Sequence, residues 1–288
     1  PDSLSSFHNM HKDFPLAPEF CTVKSEMLSK WTTDRFNQLG KKCLDTPKLV
    51  PHLGGREKYV VHGELLRYYV NKGMKVVKWH RALRFNQSRW LDVWVEQNTA
   101  LRKKAKTDFE KDFFKLANNG VFGKTMENTL NHVNCHIGRD RADFIRRTSQ
   151  PYYRSTLHYF NKTLAIVLSD KRKVVMDRPI FVRASILEYA KQHMYRFHYD
   201  AMIPLFGRDS ISMMMTDTDS LLYKIYCKDL YHTMMSIQDQ LDTSAYPEDH
   251  VLYSVKNKMV VGKFKDETNG LPVRIFEANA VKNYAFIY

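Results

Sequence analysis

The stretch Ile211-Ser-Met-Met-Met-Thr-Asp-Thr-Asp-Ser-Leu-Leu-Tyr-Lys-Ile225 constrains the fold more than any other part of the chain. It reads as apolar strand, acidic turn, apolar strand. The arms can be buried, whereas Asp217 and Asp219 cannot unless something neutralises them. Two neighbouring carboxylates at a core edge repel each other and lose hydration. A hard divalent cation such as Mg2+ relieves both costs with oxygen ligands. A metal held by carboxylates beside a basic surface points to chemistry on phosphates. Asp, Thr and Ser also favour turns, so these residues taken alone are equally those of a surface hairpin.

The basic surface follows from composition. Lys and Arg number 45 against 31 Asp and Glu, a formal charge of +14. The excess is spread along the chain, which favours a folded basic face over a disordered arm. Such a face suits a polyanion, most simply nucleic acid, although a basic protein without such a partner has the same composition. With 288 residues, 43% of them hydrophobic, the chain can bury a sizeable core. Cys21, Cys43, Cys135 and Cys227 are far apart and show no metal-ligand spacing, so a reduced compartment and no structural zinc are expected. No apolar run reaches membrane-spanning length and no signal peptide opens the chain, so no membrane partner is expected. The N-x-S/T matches at Asn86 and Asn161 are then chance occurrences. The chain opens Pro1-Asp2 without an initiator Met, as expected of a processed protein or a piece of a longer one.

Strands and helices alternate irregularly, which predicts an α+β fold. Phe14-Pro-Leu-Ala-Pro18 predicts a kinked, non-helical entry. Tyr59–His62 and Lys75–Trp79 read as short strands, and Glu64–Val70 as a helix ending near Gly73. Residues 88–130 read as helical, with Asn98 and Thr99 as N-caps. Thr107-Asp-Phe-Glu110 has the form of a capping box that starts a second helix, or is coincidence within one charged helix. Phe109, Phe113, Leu116 and Ala117 would be its apolar face. Residues 131–180 read as β-rich, with a hairpin formed by Thr163–Leu168 and Lys173–Met176. Ala184–Tyr195 and Lys228–Leu241 read as helices. Thr268-Asn-Gly270 predicts a hairpin turn between Gly262–Glu267 and Val273–Phe276.

Other clusters bear on phosphate chemistry. Lys115, Asn119 and Phe122 lie at i, i+4 and i+7 of a helix and share a face. A cation, an amide and an aromatic ring on one face suit a nucleotide, and equally describe a solvated lysine with a packing phenylalanine. Arg102, Lys103, Lys104 and Lys106 just upstream could collect a triphosphate or a template backbone, or form a solvated helix face. Lys282-Asn-Tyr284, on a strand near the chain end, could set a cation and a phenol against a nucleic-acid backbone. The twelve histidines form no ligand cluster, and no Walker A, GxSxG or GxGxxG pattern occurs.

The order of these segments carries a resemblance. Lys-x-x-x-Asn-Gly-x-Phe-Gly at 115–123, Thr-Asp-Thr-Asp-Ser at 216–220 and Lys-x-Tyr at 282–284 are similar to motif B (K-x3-N-S-x-Y-G), motif C (Y-x-D-T-D-S) and the K-x-Y motif of family B DNA polymerases. Phe14–Pro18, Asn119–Asn128 and Gly262–Glu267 resemble the protein-primed branch found in viruses and Polinton/Maverick transposons. The resemblance covers essentially the whole chain.

The resemblance implies a DNA-directed DNA polymerase with a right-hand architecture: a palm of antiparallel sheet with helices, helical fingers, and an incomplete thumb. Residues 1–95 match an insertion typical of protein-primed members, 96–130 the fingers, 131–180 a second insertion, and 181–288 the palm and the start of the thumb. Asp217 and Asp219 would be the catalytic metal ligands. Arg102, Lys103, Lys115, Asn119 and Phe122 would bind the dNTP, and Lys282 and Tyr284 the primer strand. The implied chemistry is two-metal nucleotidyl transfer with Mg2+, from a dNTP to a primer 3′-OH. The implied partners are primer-template DNA, dNTPs and a terminal priming protein, at a nuclear or viral replication site. Gly120 and Phe122 stand where motif B has Ser and Tyr, and Met215 where motif C has Tyr. No match to motif A, which supplies a third carboxylate, precedes Lys115, and the exonuclease domain is missing too. A C-terminal portion of a longer polymerase, with the third carboxylate outside this chain, is therefore expected. The alternative is a catalytically inactive element-derived remnant that binds nucleic acid.

Overall fold

The computed structural model describes residues 3–41, 47–138, 140–158, 164–280 and 282–288. They form an α+β protein of helices and small, mainly antiparallel sheets, as the irregular alternation predicts. The chain divides into two compact units, residues 1–86 with 185–288 and residues 87–184. The divisions fall after Asn86 and after Ala184.

In the larger unit the Phe14–Pro18 segment is non-helical, as expected, and Ala17 takes φ +53°. Leu16 and Ala17 are buried against Leu65, Tyr68 and Tyr69 of the helix Gly63–Asn71 and against Tyr195 and Tyr199. A buried non-helical backbone must find donors for its carbonyls. Side chains supply them: Tyr199 Oη donates to Phe14 O at 2.6 Å, Tyr195 Oη to Pro15 O at 3.1 Å, Arg56 Nε to Ala17 O at 2.6 Å and Tyr59 Oη to Pro18 O at 3.0 Å. Tyr59–His62 and Lys75–Trp79 are not strands. Neither finds a ladder partner, and β-branched residues form strands only where a pleated surface receives them; Val60 is 91% exposed and Val77 97%.

The second core of this unit holds Phe197, Ala201, Met202, Ile211 and Leu241. The expected helix at 184–195 runs Ile180–Arg196 and continues as a π-helical segment, Phe197–Met202. The acidic hairpin forms as expected, Ile211–Asp217 pairing antiparallel with Ser220–Ile225, and Leu221, Tyr223 and Ile225 pack on this core. The expected helix at 228–241 shortens to Leu230–Met234 followed by a 3-10 segment, Met235–Gln240. Asn269 and Gly270 take the positive φ values of a tight turn, but the flanking strands do not pair with each other. Asp266 accepts from the backbone N–H groups of Thr268 (2.8 Å) and Gly270 (2.9 Å), closing a local turn that redirects the chain. Phe264–Lys265 pairs with Leu241–Asp242 instead, and Ile275–Ala280 with Asn283–Ile287.

The smaller unit opens with two helices in contact, Asp92–Lys104 and Asp108–Lys124. Thr107 and Glu110 form the expected capping box. Asn98 and Thr99 are not caps. They sit inside the first helix and bond back to Trp94 O and Val95 O, four residues earlier. Phe109, Phe113 and Leu116 are exposed rather than buried, which corrects the expected apolar face. The β-rich reading holds as a three-stranded antiparallel sheet, with Ala165–Asp170 between Val133–Gly138 and Tyr153–His158. Lys173–Met176 is irregular, because the central strand already pairs on both edges. Thr163 of the expected hairpin, like Cys43, lies outside the described residues.

Candidate functional site

The predicted site residues divide between the two units. Asp217, Asp219, Lys282 and Tyr284 belong to the larger, and Arg102, Lys103, Lys115, Asn119 and Phe122 to the smaller.

In the larger unit two hairpin tips meet. Along Ile211–Asp217 the inward positions alternate, from fully buried Ile211 through half-buried Met213 and Met215 to half-buried Asp217. The register shifts between Met213–Tyr223 and Met215–Leu222, so Met214 forms a bulge next to the acidic tip. Thr218 and Asp219 make the two-residue turn, with Thr218 at φ +56°. Lys282, in the turn before Asn283–Ile287, has φ +60°. Its Nζ donates to both carboxylate oxygens of Asp217, at 2.8 and 3.1 Å, across 65 residues of sequence. This hydrogen-bonded ion pair holds the Asp217 carboxyl below the usual carboxylate range and raises the Lys282 ammonium. Asp219 is exposed and has no ion-pair partner among the described residues. The tip therefore has one neutralised carboxylate and one free.

The second hairpin adds aromatic surface that the sequence reading missed. Tyr284 and Phe286 alternate on one strand, Tyr288 follows directly after its end, and Phe276 stands opposite Phe286. Tyr284 and Phe286 are near-parallel, with centroids 6.4 Å apart and planes 16° apart. All three residues of the row are 40–58% exposed. Period-two aromatics beside a lysine are the signal that could have found this row; such rings offer flat platforms to bases or sugars.

The acidic hairpin is braced from behind. Tyr223 lies with its ring parallel to that of His198, 2° between planes, and its Oη is 3.1 Å from His198 Nδ1. Burial pushes the His198 imidazole down to about 4, helped by the positive charge of Arg208, so the ring is neutral.

In the smaller unit Lys115, Asn119 and Phe122 do share one helix, Asp108–Lys124. Lys115 and Asn119 are exposed, and Lys115 makes no ion pair with a described residue. Phe122 is half-buried, with the Arg183 guanidinium 5.6 Å from its ring centroid. Arg102 and Lys103 lie on the preceding helix, Arg102 half-buried with no hydrogen-bond partner for its Nε and Lys103 exposed.

Asp217 and Asp219 are hard oxygen ligands of the kind Mg2+ takes. Among the described residues no group of three or more His, Cys, Asp or Glu side chains is placed to hold a metal. No protein-family model, curated protein or solved structure matches the chain.

Proposed function

We propose that the chain is part of a DNA-directed DNA polymerase of the protein-primed family B type. Residues 211–225 and 275–287 would belong to its palm, and the helices at 92–124 to its fingers. The observation that carries the proposal is the Lys282–Asp217 contact. Two motifs recognised separately in the sequence, the acidic turn and Lys-x-Tyr, have side chains within 3 Å of each other. On this reading Asp219 is a metal ligand, with Asp217 joining it once Lys282 transfers to a phosphate of the primer strand. A further carboxylate, not among these residues, completes the set. Bound Mg2+ supplies neutralisation of the phosphates undergoing transfer. Lys282 and the Tyr284–Phe286 platform position the primer end, and Lys115, Asn119 and Phe122 hold the incoming nucleotide by charge, hydrogen bonding and stacking. The chemistry asks the protein mainly for positioning and charge.

Primer extension by the longer parent protein with Mg2+ and dNTPs tests the proposal. Asp219→Ala is expected to abolish extension, and undiminished extension would remove the assignment. Lys282→Ala is expected to weaken primer-template binding and lower its salt slope by about 1. A second reading, nucleic-acid binding without catalysis, is favoured by one feature: Lys282 already occupies both oxygens of Asp217. Salt-sensitive DNA binding by the parent protein, with no extension under any metal, decides for it.

A further inference from the structure

The charge of the chain is unevenly divided. The smaller unit, residues 87–184, has 19 Lys and Arg against 10 Asp and Glu, so its net +9 is most of the chain's +14. Part of that excess converges on a surface cleft of about 200 Å3. The cleft is lined by Thr129, His132, Lys171, Lys173 and Arg178 among others. Two of its lining residues, His132 and Arg178, are held by Glu127. Arg178 donates to one Glu127 oxygen at 2.9 and 3.2 Å, His132 Nε2 lies 3.0 Å from the other, and Lys124 pairs with the same carboxylate. Lys124 and Arg178 in particular drive the Glu127 carboxyl down to about 2, so it stays ionised. Thr129 Oγ1 donates to Val175 O at 3.1 Å and ties the cleft's two walls together.

The acids are thereby used up while cations remain. Asp177 is paired with Arg178, and Lys171 Nζ lies 3.4 Å from His132 Nδ1 and makes no ion pair with a described residue. Lys173 makes no ion pair with a described residue. Two exposed lysines lining one cleft without a carboxylate partner among the described residues favour an anion between them.

We propose that this cleft binds a backbone phosphate of a nucleic-acid strand, held by Lys171 and Lys173 with Arg178 and Thr129 behind them. A strand fits better than a free anion because the basic surface continues past the cleft. Arg172 is held 4.4 Å from the Tyr152 ring centroid, and a cation beside an aromatic face suits the next nucleotide. The proposal rests on the nucleic-acid part of the reading above and not on catalysis.

The test is fluorescence anisotropy of a labelled single-stranded oligodeoxynucleotide titrated with the chain across a KCl series, in EDTA and without dNTPs. Failure of metal-dependent extension therefore leaves this result untouched. K171Q/K173Q is expected to weaken binding and to lower the slope of log K against log salt by about 1 per lysine. K256Q/K258Q, an equal loss of two charges in the other unit, serves as the control. Circular dichroism verifies that each variant folds. A K171Q/K173Q variant with wild-type slope and affinity, or one no weaker than K256Q/K258Q, overturns the proposal. Inorganic phosphate binding that K171Q/K173Q loses, with oligonucleotide binding unchanged, also overturns it, because the cleft then takes a free anion.

Discussion

Thr218 stands between the two site carboxylates at φ +56°, a conformation in which its branched Cβ crowds the backbone. Such a residue costs about 1–2 kcal/mol, and strained backbone of this kind concentrates at functional sites. Its Oγ1 donates to Asp217 at 3.2 Å, so the strain aims the hydroxyl at the carboxylate that also holds Lys282. Thr218→Asn, which tolerates this φ and keeps a donor, is expected to stabilise the chain by about 1 kcal/mol. A urea midpoint shifted upward at unchanged m-value verifies this; a midpoint shifted downward refutes the strain. Lys282, at φ +60°, has the same backbone conformation at the opposing tip. The Thr-Asp-Thr-Asp-Ser wording marked the tip, but nothing in it marked a lysine 65 residues away as the group that neutralises Asp217.

The helix Asp108–Lys124 shows how an element serves the site. Its start depends on Thr107, whose Oγ1 accepts from Glu110 N at 3.2 Å, while Glu110 accepts from the backbone N–H groups of Thr107 and Lys106. Those N–H groups hold the Glu110 carboxyl below the usual range. Thr107→Ala is expected to cost about 1 kcal/mol, read as a lower urea midpoint by far-UV circular dichroism. A variant within error of wild type would mean the cap is frayed in solution. The Phe14–Pro18 segment is the converse case, a buried element with no regular structure. Arg56, only 6% exposed in its side chain, is central to it because its donors satisfy carbonyls at Leu16, Ala17 and His52.

For the molecule as a whole, His198 links the acidic hairpin to pH. Its folded pKa, about 4, lies below the unfolded value of 6.5. The unfolded chain therefore takes up the proton first. Stability from the neutral ring is complete above about pH 6.5 and is lost as pH falls towards 4. The shift corresponds to about 3 kcal/mol at most. His11 is shifted the same way by burial and adds to the effect. Urea midpoints are expected to fall across this window, and His198→Gln, which does not titrate, should flatten the profile. An equally steep profile in the variant would remove His198 as the source.

The sequence by itself determined the α+β class, the acidic hairpin, the capped helix and the basic balance. Each of these follows from local periodicity, turn chemistry or a count of charges. The reading failed at Tyr59–His62 and Lys75–Trp79, where strand propensity found no partner, and at Asn269-Gly270, where the turn formed but Asp266 redirected the chain. Only the tertiary structure decided that Lys282 sits on Asp217, that Tyr223 rests on a buried neutral histidine, and that Lys171 and Lys173 share a cleft with Arg178. Those are contacts between segments far apart in sequence, selected by which surfaces the cores bring together rather than by the preferences of any one segment.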